Sequence, residues 1–203
     1  MKNVITISRQ KGAGGKVIAS ELSKRLCWKL IGKDLITETA AKEGIDEAKI
    51  QRVFEARVSL QDRMTFQQRS EKYLNAVARV IKDEVDKGDV VIIGRGAGVI
   101  LADDPRLFRV HFVADFDTRI ERIAMDQKLK GSKGLDEARR LVNESDYSRA
   151  AFHMYLFNVD WNSPLLYDLV LNTTEITLDQ ATEIVVDAFN TVLPDAGHCE
   201  LPR

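Results

Sequence analysis

The stretch ISRQKGAGGKVIA (residues 7–19) joins a β-branched run to a helix-like run through three glycines. Val4-Ile5-Thr6-Ile7 ahead of it has the composition of a buried strand, and Val17, Ile18, Leu22 and Leu26 behind it recur at helical spacing. Such a strand–turn–helix corner suits a phosphate: glycines let the backbone amides turn inward, and the helix start adds its positive dipole end. The alternative is a tight turn with no ligand. The general phosphate-loop template, G-x-x-x-x-G-K-[ST], does not fit when Gly15-Lys16 are taken as its G-K. Its first glycine then falls on Gln10 and its hydroxyl on Val17. In that register Lys16 is the expected phosphate-reaching lysine.

Further strand signals follow at VVIIG (90–94), FRVHFVA (108–114) and YDLVLNT (167–173), each followed by a helical pattern or a glycine turn. Thr177-Leu178-Asp179-Gln180 has capping-box form and opens a helix with one apolar face from Leu178 to Val192. The alternation predicts an α/β fold around a mainly parallel sheet. Residues 33–88 and 116–156 read as helical lobes, and 194–203 as a frayed tail.

With 203 residues the chain suits one domain, and a net charge of −1 with no like-charged block argues against nucleic-acid or membrane binding through bulk charge. Two distant cysteines, Cys27 and Cys199, point to a reducing compartment, and no apolar run is long enough to span a bilayer. A cytoplasmic protein is expected.

VVIIGRGAGVIL (90–101) is a second strand running into glycines. As a dinucleotide loop it is poor, because the third glycine comes one position early and no acidic partner follows. Its Arg95 tells more. An arginine at the carboxyl end of a central strand points into the crevice where open α/β sheets bind ligands, and its planar fork suits phosphate oxygens.

In order along the chain stand ITISRQKGAGGKVIASELSKRL, CWKLIGKDLI, VVIIGRGAGVIL, RVHFVADFDTRIERI, ESDYSR and DWNSPLLYDLVLNT. Together they resemble the cytidylate kinase-like family of phosphate-loop kinases, relatives of the nucleoside monophosphate kinases, over roughly residues 3–192. The resemblance implies a P-loop NTPase-type three-layer sandwich with a mainly parallel five-stranded sheet, an acceptor-binding helical lobe at about 33–88 and a lid at about 116–156. It implies ATP with Mg²⁺ as donor and, as small-molecule acceptor, a nucleoside monophosphate, with CMP or dCMP as first guess, or another small metabolite. Gly12, Ala13, Gly14, Gly15, Lys16 and Val17 would hold the donor phosphates. Arg95 and Arg149 would meet phosphate, Asp146 the acceptor sugar, and Arg119 and Arg122 would begin the lid, with Lys16, Arg95, Arg149 and Arg122 as the catalytic cations. Asn172 and Thr173 would pass near the donor base. Arg139 and Arg140 read instead as ordinary exposed ion pairs. How Mg²⁺ is held stays open, since Val17 has no hydroxyl and neither Ser8 nor Ser20 can be placed. His111, His153 and Trp161 read as packing residues.

Three departures stand out. The family's cytosine-reading aspartate after the arginine is Gly96, a second aspartate is replaced by Gly32, and an acceptor-phosphate arginine falls near Glu38. They leave a second reading: a nucleotide-binding regulatory or interaction protein that has lost catalysis.

Overall fold

The computed structural model describes residues 3–32, Asp34 and residues 60–193, with side chains of the long central helix described from residue 71. The expectations for Glu38, for the start of the 33–88 lobe and for the tail, with Cys199, lie outside the described residues.

Five strands form: β1 (Val4–Arg9), β2 (Lys29–Ile31), β3 (Val90–Ile93), β4 (Leu107–Val113) and β5 (Leu169–Asn172). Among the described residues they are accompanied by the helices α1 (Gly15–Leu26), α2 (Leu60–Lys87), α3 (Ala97–Ile100), α4 (Phe116–Asp126), α5 (Gly131–Phe157) and α6 (Leu178–Val192). The sheet order is β2-β3-β1-β4-β5, and every pairing is parallel. The chain therefore leaves every strand at the same edge of the sheet, and both glycine turns open there.

Burial on both faces explains the unbroken apolar strands. Ile5, Ile7, Val91 and Ile93 face α1 and α6, where Ile18, Leu22, Val185 and Phe189 complete one core. Val4, Val90 and Ile92 alternate to the other face and meet Tyr73, Val77, Ile81 and Val85 of α2. Phe189 joins the layers by meeting Trp28 edge-on at 5.2 Å and Phe108 at 5.9 Å. A third, smaller cluster lies between α4 and α5 and contains Ile120, Ile123, Ala138 and Val142. It packs these two helices on each other.

The α6 capping box forms as read: Gln180 N–H donates to Thr177 Oγ1 at 3.1 Å, and Thr177 N–H to Gln180 Oε1 at 2.9 Å. The last strand is shorter than the sequence pattern suggests. Asp168 lies just before it and pairs with Arg109 at 2.7 Å. No described helix is long and apolar enough to cross a membrane.

His111 of β4 is 2% exposed, stacked on Tyr167 at 4.5 Å and edge-on to Trp161 at 5.3 Å. Burial, with His153 and Arg149 nearby, pulls its pKa down to about 4. The unfolded chain takes that proton near pH 6.5, before the fold can, so stability present at neutral pH is lost as pH falls from 6.5 to 4. Over that window the group costs roughly 3 kcal/mol. Urea unfolding of His111→Phe should therefore show an acid loss smaller than wild type by about this amount. Equal losses would remove His111 as the cause.

Candidate active site

The first glycine loop leaves β1 at Arg9 and enters α1 at Gly15. Gly12 (φ 86°) and Gly14 (φ 80°) are both left-handed, which glycine adopts without strain. Gly14 is the N-cap, and no side chain caps the helix. Among the described residues, no protein acceptor takes the amides of Gly12, Gly14, Gly15 or Lys16. Four inward donors at a helix start form a nest for an anion.

The loop is fixed from outside. Thr173 is fully buried, and its Oγ1 donates to Ala13 O at 3.1 Å. Arg122 donates to Thr173 Oγ1 at 3.1 Å and to Thr173 O at 2.7 Å. Arg119 is 6% exposed and donates to Ala114 O at 3.0 Å and Lys11 O at 3.2 Å. Asp146 of α5 accepts from Lys11 N–H at 2.8 Å, from Arg149 at 3.1 Å and from Arg119.

The second glycine turn is more strained. Gly94, Arg95 and Gly96 have φ of 83°, 58° and 68°, a run of three left-handed residues directly after β3. For Arg95 this costs about 1–2 kcal/mol. Strain of that kind persists only where the surroundings impose it, and it is common at functional sites. Here it turns Arg95 into a cavity of about 430 Å³ at the C-terminal edge of the sheet, within the size range of small-ligand sites.

Arg9, Arg95 and Arg149 all line this cavity. Burial draws the Arg9 guanidinium down to about 10, with Arg149 and Arg95 adding repulsion. Burial also lowers Arg149, against the pull of Asp146. Three cations so placed favour a bound anion. Ser145, Ser148, Phe152 and His153 form one wall, as the i, i+4 face of α5. Tyr73 and Trp161, which meet the rings of Phe152 and His153 at 6.5 and 6.2 Å, also line the cavity, as does Tyr167. Trp161 Nε1–H donates to Ser8 Oγ at 2.8 Å, so Ser8 is engaged.

Arg95 and Arg149 line the cavity together, and Lys16, Arg119, Arg122 and Asp146 do not line it. Lys16 is the second residue of α1 and points to solvent. Arg119 and Arg122 brace the loop and the β5–α6 turn, and Asp146 is consumed by the loop and two arginines. Val17 is 58% exposed, and its side chain does not face the loop. Asn172 accepts from Thr174 within its own turn at 2.7 Å. Arg140 pairs with Glu137 and Glu144 at 2.6 Å each, the surface role expected of it.

Phe152 and His153 reach the ligand cavity as well as packing. Arg9 is not among the residues the sequence reading singles out. Its signal was the strand alternation that places it on the side of Ile5 and Ile7, at the last residue of β1 and three positions before the first glycine.

Neither Val17, where the template hydroxyl falls when Gly15-Lys16 are its G-K, nor Lys16, where it falls if the frame starts one residue earlier, carries a side-chain oxygen. Among the described residues no group of three or more His, Cys, Asp or Glu could hold a metal. Among the described residues the glycine loop therefore offers no side-chain oxygen for the usual Mg²⁺ contact.

The layered parallel sheet with a glycine nest at its C-terminal edge is the architecture of P-loop kinases. The chain belongs to the cytidylate kinase-like family, whose model matches residues 4–175. A cytidylate kinase of Pyrobaculum islandicum is 28% identical over 191 residues, 94% of each chain. One from Natronomonas pharaonis is 27% identical over 200 residues, covering 98% of this chain and 95% of its own. Among solved structures, an uncharacterized protein from Eubacterium ventriosum superposes with a TM-score of 0.72 at 22% identity, covering 94% of this chain and 99% of its own.

Gly96 sits where the cytosine-reading aspartate was expected. A Cβ built there would lie 2.3 Å from Phe157 Cε2 and 2.5 Å from Cζ. Gly96→Asp should destabilise by about 2–4 kcal/mol, from overpacking and the left-handed backbone together. Adding Phe157→Ala should return part of that loss in a denaturant titration. A Gly96→Asp protein as stable as wild type would contradict this packing.

Proposed function

We propose that the protein transfers the terminal phosphoryl group of ATP to a small phosphorylated acceptor bound in the arginine-lined cavity. The observation that carries the proposal is the pairing, at one sheet edge, of an open amide nest with a cavity holding Arg9, Arg95 and Arg149. Phosphoryl transfer needs placement and positive charge more than covalent chemistry. The nest suits donor phosphates, and Arg95 and Arg149 suit an acceptor phosphate. The two-helix unit of α4 and α5, with its own small core, fits the part of a lid. Family membership and fold support a nucleotide kinase, and on that ground a nucleoside monophosphate is the acceptor class. CMP and dCMP head the panel, although Phe157 fills the place where an aspartate side chain at position 96 would read cytosine. In the reaction ATP would supply the phosphoryl group, accompanied by Mg²⁺ held by its phosphates and water.

A second reading, a nucleotide-binding protein without catalysis, is favoured by one observation: Asp146 occupies the Lys11 amide of the loop. ADP formation from ATP across a panel of nucleoside monophosphates and other phosphorylated metabolites separates the two. We expect turnover on at least one acceptor, and a fall of about 10³ in kcat/KM for Arg95→Ala, the low end for a catalytic arginine. ATP binding without turnover on any acceptor favours the second reading.

A further inference from the structure

We propose that Arg9 supplies the phosphate-facing cation of the glycine loop, in the place where the general template puts its lysine, and that Lys16 does not. The inference rests on the kinase reading above.

The loop geometry sets the register. Gly14 is the last left-handed residue and Gly15 the first helical one, which aligns them with the template's final glycine and lysine. The template's first glycine then falls on Arg9, five positions before Gly14. Relative to G-x-x-x-x-G-K-[ST], glycine has become arginine at 9 and lysine has become glycine at 15. The two changes are coupled in space. A Cβ at Gly15 would lie 2.7 Å from Arg9 Cβ and 2.9 Å from its Cγ. A side chain from position 15 and the side chain of Arg9 therefore claim the same volume, and only one of them can be present.

Arg9 then continues toward the acceptor side. Its Nη1 lies 2.7 Å from where a Cβ on Gly94 would be. The side chain thus runs from the start of α1, beside the donor nest, to the end of β3, where its guanidinium lies against Gly94, the neighbour of Arg95. Lys16 faces solvent. Among the described residues Arg9 forms no ion pair, and the charges that act on it are cations. A phosphate would relieve that repulsion, and a planar fork can take two of its oxygens at once. In the transfer, an acceptor phosphate oxygen bonds to the terminal phosphorus as the bond to the donor's bridging oxygen breaks. The electron pair leaves on the nucleoside diphosphate. Arg9 neither gains nor loses a proton and acts through its charge alone.

The test uses the full chain, with tripolyphosphate binding by calorimetry as a readout separate from ADP formation. Arg9→Ala should weaken tripolyphosphate at least about 10-fold, the effect of losing a charged hydrogen bond, and lower kcat by about 10²–10³. Lys16→Ala should change either by less than about 3-fold, as for an exposed charge. Gly15→Lys alone should be crowded by Arg9 and lose binding. Arg9→Gly combined with Gly15→Lys restores the template arrangement and should recover binding toward wild type, which a merely structural Arg9 would not produce.

Arg9→Ala binding tripolyphosphate as wild type does overturns the proposal, and so does a large loss in Lys16→Ala. Should Arg9→Ala not fold, the exchanged pair decides: a folded double variant that binds no tripolyphosphate overturns it. Wild type that binds tripolyphosphate but turns over no acceptor sinks the kinase reading alone. Wild type that does not bind tripolyphosphate sinks both.

Discussion

Arg9, Arg95 and Arg149 share one cavity, and the repulsion among them is what the surrounding structure is built to hold. Each comes from a different element. Arg9 ends β1, Arg95 sits in the left-handed turn after β3, and Arg149 projects from α5. Mutual repulsion and burial would drive them apart or into water. They stay because the backbone around each is held independently. β1 is central and paired on both sides. The turn at Arg95 lies between two glycines that accept its φ. Arg149 is tied by Asp146, which is itself anchored to the loop amide of Lys11. The strands' dense apolar packing supplies the stability against which this local cost is set.

The central strands β1, β3 and β4 were legible because they are buried on both faces, whereas the short edge strand β2, exposed at Lys29 and Leu30, carried no strand signal of its own. Runs such as VVII and FRVHFV have no other use in a chain of this size, and their spacing around helical patterns fixed parallel connections. The exact strand ends were less legible. Tyr167-Asp168 has strand composition, yet Asp168 bends away to meet Arg109. That choice depends on a residue 59 positions distant and leaves no local trace.

The site was legible in part, for a related reason. Arg95 announced itself because a long cation among glycines has no structural task. Arg119 and Arg122 carried the same chemistry in a family motif, but three-dimensional neighbours decided their employment. Ala114 O, Lys11 O and Thr173 O are backbone acceptors, and sequence says nothing about which carbonyl faces which guanidinium. Arg9 was hidden by an assumption of register. Taking Gly15-Lys16 as the template pair left two misfits, at Gln10 and Val17. Moving the frame by one residue leaves different misfits, an arginine and a glycine that trade places, and only the steric contact between them shows that they belong together.

Asp146 connects these points. Its carboxylate bonds the Lys11 amide, Arg119 and Arg149, so it joins the glycine loop, the start of α4 and the wall of the cavity. A carboxylate at a loop amide is the kind of group that a phosphate oxygen resembles in charge and geometry. The loop therefore has its Lys11 amide satisfied by the protein itself and presents the four amides of the nest. The same bond limits the cation excess, since without Asp146 the charges of Arg119 and Arg149 would add to those of Arg9 and Arg95 with less to offset them. One acidic side chain thus balances the arginines from the side of α5, while the open cavity between Arg9 and Arg95 leaves the other side to an incoming anion.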